Sequence, residues 1–110
     1  MSFFQKRPKA LVKNPTYSLI KPPHISKITR IVVHYDCGFG NNLFIRGEHA
    51  GLDWKIGTPL NNINAGKWTF EITSFFTECF FKILINDTCY EQGTNHHISC
   101  GKVIIIEPKF

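Results

Sequence analysis

The sequence predicts an all-β domain, a sandwich or barrel of short strands. Apolar residues alternate with polar ones over short runs, and Gly, Asn and Asp separate these runs. No stretch repeats its apolar residues with the 3.6-residue period of a helix. The chain has 110 residues, of which 43% are hydrophobic and 19% charged, so its length is about that of one domain. This composition excludes a coiled coil and a wholly disordered chain.

Five runs from Ile28 onward have the pattern of strands. They are residues 28–35, 43–46, 67–73, 80–85 and 102–107. In the third run Trp68 and Phe70 point to the same face, because side chains alternate along a strand. The last run contains four consecutive aliphatic residues, which is typical of a strand covered on both faces. We therefore expect Trp68, Phe70, Ile83 and Val103 in the core between two antiparallel sheets.

The positive net charge of +5 comes from the first 27 residues, which carry +6. This segment holds six Lys and Arg, no acid and four of the six prolines, which predicts an extended basic arm over residues 1–27. We interpret the arm as a solvated tether, with contact to phosphates or anionic lipid as the alternative. The β domain, residues 28–110, holds seven basic and eight acidic residues and so has a net charge of −1. A nucleic-acid-binding face is therefore not expected.

The sequence predicts neither a membrane span nor a signal peptide. No apolar run approaches the roughly 20 residues that a membrane helix needs. The N-terminal residues contain no apolar core and no small-residue cleavage site, so we expect a cytoplasmic protein.

The chain has four cysteines: Cys37, Cys79, Cys89 and Cys100. We expect reduced thiols, no metal and no cofactor, and the alternative is a zinc site where His96 and His97 lie close to Cys89 and Cys100 in the sequence.

No catalytic pattern is complete in this sequence. His34 lies near Cys37, but no third group is in place to orient a nucleophile and its base. Glu48, Asp53 and Glu91 could pair as the carboxylates of a glycosidase, but a small sandwich without long loops offers little of the cleft such chemistry needs. We therefore expect a protein without enzymatic activity.

Two aromatic residues in polar loops indicate a binding function. Trp54 lies in the glycine-bounded loop 50–57 among acids and lysine, and Tyr90 lies between the turn at 86–87 and Gly93. Exposed rings flanked by planar polar groups favour sugar recognition, because the ring packs on the C–H face of a pyranose while the polar groups bond its hydroxyls. The same layout could stack nucleic-acid bases, which the charge of the β domain does not support.

Five segments of the chain follow one another in a recognisable order. They are Phe39–Gly47, Gly51–Leu60, Lys67–Glu71, Phe80–Leu84 and Tyr90–Asn95. They place a glycine turn before a strand, a Trp-bearing loop that leads to proline, a Trp-bearing strand, a Lys-bearing strand and an aromatic-Glu…Asn loop. From about residue 28 to 110 the chain thereby resembles the starch-binding domains of carbohydrate-binding module family 20, which are appended to glucoamylases and other starch-active enzymes.

The resemblance implies an immunoglobulin-like antiparallel β-sandwich of about seven strands that binds α-1,4-glucans such as starch, glycogen and maltooligosaccharides. It implies that the glucan stacks on Trp54 and Tyr90, while Lys82, Glu91 and Asn95 bond its hydroxyls. Tyr90 stands where the family usually has Trp, so its ring offers less stacking area.

The family also has a second site, built on two tyrosines. Phe39 occupies the place of the first and lacks a hydroxyl, and the loop 61–66 carries no aromatic residue at the place of the second. Phe39 is therefore the single candidate residue for a second site in this chain.

These observations together predict a non-enzymatic glucan-binding domain behind a basic arm. Its expected partners are an α-glucan and an enzyme that metabolises glucans. The alternative is a β-sandwich that has lost sugar binding and serves as a protein-interaction module, and a nucleic-acid-binding sandwich is the third interpretation.

Overall fold

The structure, a computed structural model, describes residues 28–110. The basic arm expected over residues 1–27 lies outside this range. Nine strands make up the described fold: β1 (Thr29–His34), β2 (Leu43–Glu48), β3 (Thr58–Pro59), β4 (Asn61–Asn64), β5 (Lys67–Ile72), β6 (Glu78–Ile85), β7 (Cys89–Tyr90), β8 (His96–Ser99) and β9 (Val103–Ile106).

The strands form two sheets that enclose one core. The first sheet has the order β9-β1-β5-β4, and the second has the order β3-β2-β6-β7 with β8 also paired to β6. No helix occurs between residues 28 and 110, so the all-β sandwich expected from the sequence is confirmed. One pair departs from the antiparallel rule, because β9 runs parallel to β1.

The core follows from the two-residue period of the long strands. Ile31 and Val33 of β1 are fully buried, and so are Leu43 and Ile45 of β2, while the residues between them are only partly buried. Trp68, Phe81 and Ile83 fill the space between these strands, and Phe70 packs against the same cluster. Three of the four expected core residues are therefore in or against the core.

The prediction that Val103, the fourth expected core residue, lies in the core is wrong. Its side chain is 60% exposed, and Ile105 is 64% exposed. The register explains this exposure: Ile104 lies beside Ile31 and Ile106 beside Val33, so only the even-numbered residues of β9 face the core. In the described fold β9 is an edge strand with one neighbour, and its aliphatic run is covered on one face.

Four short strands were absent from the sequence interpretation. They are β3, β4, β7 and β8, of which two contain only two residues. The expected loop at residues 61–66 instead holds β4, which pairs with β5 through a register shift between Asn62 and Asn64. All four residues of β4 are exposed, so this edge strand has no apolar periodicity to detect.

The tight turn between β6 and β7 sets the position of the residues around Tyr90. Asn86 and Asp87 both have positive φ, 54° and 57°, and the Thr88 amide donates to the Ile85 carbonyl at 3.0 Å. This is a two-residue hairpin turn in which Asn and Asp tolerate the left-handed conformation. The Asn86 side chain accepts a hydrogen bond from the Asn42 amide at 3.0 Å, which ties the turn to the start of β2.

The four cysteines are unpaired in the structure. Residues 28–110 contain no helix that is long and apolar enough to cross a membrane.

Candidate functional site

The candidate site lies on the outer face of the second sheet. Arg46 of β2 is paired with Lys82 of β6, and Leu84 of β6 is paired with Tyr90 of β7. Because residues two apart on a strand share a face, Arg46, Lys82 and Tyr90 lie on one side of the sheet. The core-filling residues Ile45 and Ile83 occupy the opposite side.

Arg46 connects the two aromatic residues that the sequence singles out. Its Nη1 atom donates to the Trp54 carbonyl at 3.1 Å and to the Tyr90 hydroxyl at 3.3 Å. The guanidinium carbon lies 5.7 Å from the centre of the Tyr90 ring, a distance at which a cation is attracted to the ring. The backbone carbonyl of Trp54 and the side-chain hydroxyl of Tyr90, which are 36 positions apart in the sequence, therefore meet at one nitrogen atom.

Asp87 holds the other side of the same guanidinium. Arg46 Nε donates to Asp87 Oδ1 at 2.8 Å, and Nη2 donates to the Asp87 carbonyl at 2.9 Å. The second carboxylate oxygen accepts a hydrogen bond from the Gly57 amide at 3.1 Å. The hydrogen bond from Arg46 holds the pKa of the Asp87 carboxyl below its ordinary value. We call Arg46, Asp87, the Trp54 carbonyl and the Tyr90 hydroxyl the Arg46 network.

The two aromatic side chains are presented differently. Tyr90 is 45% exposed, so much of its ring faces solvent. Trp54 is half-buried, and its indole N–H donates to Glu48 Oε1 at 3.1 Å. That hydrogen bond fixes the indole against the end of β2, so the loop tryptophan is held by both its backbone carbonyl and its side chain.

Lys82 holds the loop that follows Tyr90. Its Nζ atom donates to the Glu91 carbonyl at 2.8 Å and also to the Gly93 carbonyl. An ammonium group has three donors, so one N–H is left beyond these two contacts. Asn95 lies at the end of the same loop with its side chain exposed.

Glu91, which the resemblance places among the residues that bond sugar hydroxyls, is buried in the structure. Its side chain is 2% exposed, and its carboxylate accepts a hydrogen bond from the Ile83 amide at 2.7 Å. Both carboxylate oxygens also lie 2.8 Å from His96 Nε2. The carboxylate therefore anchors the 91–96 loop to β6 from inside the fold. Burial of a carboxylate is compensated here by a backbone donor and an imidazole.

Phe39, the candidate for a second site, is fully exposed at the tip of a turn. Gly38 and Gly40 on either side of it have positive φ, 87° and 84°, which glycine adopts without strain. The turn borders an open cavity of about 460 Å³ that Asn62 and Ala65 also line. No aromatic side chain of β4 or the turn after it faces Phe39, since residues 61–66 contain none.

Sequence reasoning missed Arg46 and Asp87. Arg46 interrupts the apolar run of β2, and a single cation in a strand is usually a solvent-facing residue. Asp87 was recognised only as part of a turn. The available signal was the opposite charge of the two residues. The strand pairing that brings these charges together cannot be derived from the sequence alone.

In the described part of the chain, no group of three or more His, Cys, Asp or Glu is arranged to hold a metal ion.

Comparisons with known proteins identify the fold. No protein-family model matches the chain, and a search of curated proteins found no match. Solved structures do match, and one of them is the glycoside hydrolase family 15 glucoamylase from Hypocrea jecorina, with a TM-score of 0.64 and 14% sequence identity. The match covers 94% of this chain and 20% of that one, so the chain spans about a fifth of the length of the glucoamylase it resembles. At this identity the likeness shows a shared β-sandwich fold.

Proposed function

We propose that this protein is a non-catalytic carbohydrate-binding module that binds α-1,4-glucans on the outer face of its second sheet. The observation that supports the proposal is that one guanidinium donates to the Trp54 carbonyl and to the Tyr90 hydroxyl, so two aromatic residues from distant loops are neighbours in the fold. The likeness to part of a glucoamylase supports a role linked to carbohydrate, and an enzyme that acts on glucans is the proposed partner.

The proposed binding mode combines stacking with hydrogen bonds. The rings of Trp54 and Tyr90 pack against the C–H faces of successive glucose units, and stacking of aromatic rings contributes about 0.5–1.5 kcal/mol beyond the burial of apolar area. Asn95 and the remaining N–H of Lys82 bond sugar hydroxyls. Glu91 has a supporting role in this scheme, because its carboxylate is buried and engaged with Ile83 and His96.

The first test is retention on insoluble starch, with cellulose as the control. We expect the protein to sediment with starch and not with cellulose, and to bind maltoheptaose in solution. Trp54→Ala should reduce binding below detection, and Tyr90→Ala should weaken it at least tenfold, since each removes one ring of the platform.

The control for Trp54→Ala is its melting temperature. Trp54 is half-buried and packs in a loop, so the variant should remain folded with a melting temperature within a few degrees of the wild type. A variant that unfolds would identify Trp54 as a core residue and remove the platform. A wild-type protein that ignores both starch and maltoheptaose would favour the protein-interaction module instead.

A further inference from the structure

In the described part of the chain, the Tyr90 hydroxyl accepts a hydrogen bond but donates none. It accepts from Arg46 Nη1, and in the described part of the chain no protein group accepts its own proton. A phenol has one O–H donor, and this donor points away from the N–H that the oxygen accepts. The residue is 45% exposed, so a ligand bound on this face could accept the proton that no described protein group accepts.

Arg46 uses nearly all of its donors to create this arrangement. A guanidinium has five N–H groups, and four contacts to Asp87, Trp54 and Tyr90 occupy Nε, Nη1 and Nη2. Its side chain is 18% exposed, so it is shielded from solvent more than a typical surface arginine. The planar fork fixes the angles between its partners, which an ammonium group cannot do.

We propose that Arg46 is a positioning residue that fixes Trp54 and Tyr90 in their binding geometry before the ligand arrives and makes the Tyr90 hydroxyl a hydrogen-bond donor toward a sugar oxygen. The inference rests on the proposed glucan binding and adds a polar contact to it. Tyr90 thereby selects a ligand atom that accepts a hydrogen bond, such as a hydroxyl or ring oxygen. A site whose loops are already ordered loses less conformational entropy when the ligand binds.

The chain offers a matched control for this role. Arg30 lies on the first sheet and pairs with Glu71, with Nε at 2.8 Å and Nη2 at 2.7 Å from the same carboxylate oxygen. Both of these side chains are exposed by more than 40%. Arg30→Lys therefore makes the same chemical change as Arg46→Lys, far from the Arg46 network in the fold's other sheet.

The first measurement needs no ligand. Arg46→Lys should accelerate hydrogen exchange of the Gly57 amide, because this amide donates to Asp87 and Asp87 is held by Arg46. Arg30→Lys should leave that amide unchanged. Equal protection of Gly57 in the wild type and in Arg46→Lys would overturn the positioning role, whether or not the protein binds a glucan.

The second measurement is a double-mutant cycle with maltoheptaose. Arg46→Lys should weaken binding about tenfold while the protein stays folded, and Arg30→Lys should not change it. Tyr90→Phe keeps the ring and removes the hydroxyl, so it should cost about fivefold in the wild-type background, the size expected for one hydrogen bond. In the Arg46→Lys background the same change should cost less than twofold, because the hydroxyl is no longer oriented.

The outcomes separate this inference from the proposed function. Binding by the wild type with an equal cost of Tyr90→Phe in both backgrounds would overturn the donor role and leave glucan binding intact. Full affinity of Arg46→Lys would overturn the positioning role. Absence of maltoheptaose binding by the wild type would remove the proposed function together with the donor role, and the hydrogen exchange of Gly57 would then decide the positioning role alone.

Discussion

Gly57 is the residue on which the closeness of the Trp54 loop and the β6–β7 turn depends. A Cβ atom at this position would overlap the Asp87 carboxylate and lie 3.1 Å from the Cβ of Phe44. The glycine lets its own amide approach Asp87 closely enough to donate a hydrogen bond. The missing side chain at one position therefore determines whether two loops can share one arginine.

Gly57→Ala should destabilise the protein by about 1–3 kcal/mol, because the new methyl group displaces Asp87 and disturbs the Arg46 network. It should also weaken maltoheptaose binding. Thermal unfolding and isothermal titration measure the two effects. Gly66→Ala is the control, since a Cβ there meets no atom within 4 Å, and its stability should stay within about 1 kcal/mol of the wild type. Similar losses in both variants would contradict this explanation.

The contrast between Glu91 and Trp54 indicates how far single residues can be interpreted from sequence. The sequence interpretation singled out both as residues of polar loops with a proposed role in binding. The sequence could not show that the Glu91 carboxylate turns inward to the Ile83 amide, because that depends on which strand the loop crosses. Arg46 was missed for the same reason, since its partners Asp87 and Tyr90 are more than 40 positions away.

At the scale of the elements, the β6–β7 hairpin turn has an electrostatic role. Its Asp87 carboxylate has a lowered pKa, first because Arg46 donates a hydrogen bond to it. A carboxyl whose pKa is lower in the folded than in the unfolded protein adds stability above its unfolded value, about pH 4. This stability is lost as the pH falls through the folded pKa, because protonation abolishes the ion pair.

Asp87→Asn should therefore lower the melting temperature at neutral pH and change it less as the pH falls below the unfolded pKa of Asp, where the wild type loses this stabilisation too. Melting curves between pH 3 and pH 7 measure the difference. The control is Glu71→Gln, which removes a carboxylate from an exposed ion pair and should shift the melting temperature by less at neutral pH. A constant difference between Asp87→Asn and the wild type across this range would contradict the assigned role.

Element by element, the long strands were predictable and the short ones were not. β1, β5 and β6 have apolar residues that alternate or run together, so their positions follow from the period of the sequence. β7 has two residues, and what defines it is its pairing with Leu84 and Ile85. The exposure of Val103 was mispredicted because an aliphatic run does not show whether its strand is covered on one face or on both.

At the scale of the whole molecule, the burial of the cysteines indicates how well the sandwich excludes solvent from its core. Cys79 is fully buried, and burial raises the pKa of its thiol to about 11. Burial also raises the pKa of Cys37. Cys89, in contrast, is exposed on β7. The reactive species is the thiolate, so burial and a raised pKa both slow the reaction of Cys79.

A thiol reagent at pH 8 should therefore label Cys89 rapidly in the native protein and Cys79 only after unfolding. In denaturant, all four thiols should react. Mass spectrometry of the labelled peptides identifies the sites. Rapid labelling of Cys79 in the folded state, or a count below four in denaturant without reductant, would contradict the closed, reduced sandwich.

The parallel pairing of β9 with β1 has a consequence for the order in which the fold can assemble. Val103 pairs with Arg30, which lies 73 positions earlier in the chain, whereas the β6–β7 hairpin closes over a two-residue turn. Closing a long loop costs more chain entropy than closing a hairpin, so contacts between distant segments slow folding. We expect the second sheet to form early and β9 to dock late. Until it docks, the Arg30 and Val32 backbone groups that pair with β9 remain open to strands of other molecules, so the interval before docking is when aggregation is most favoured.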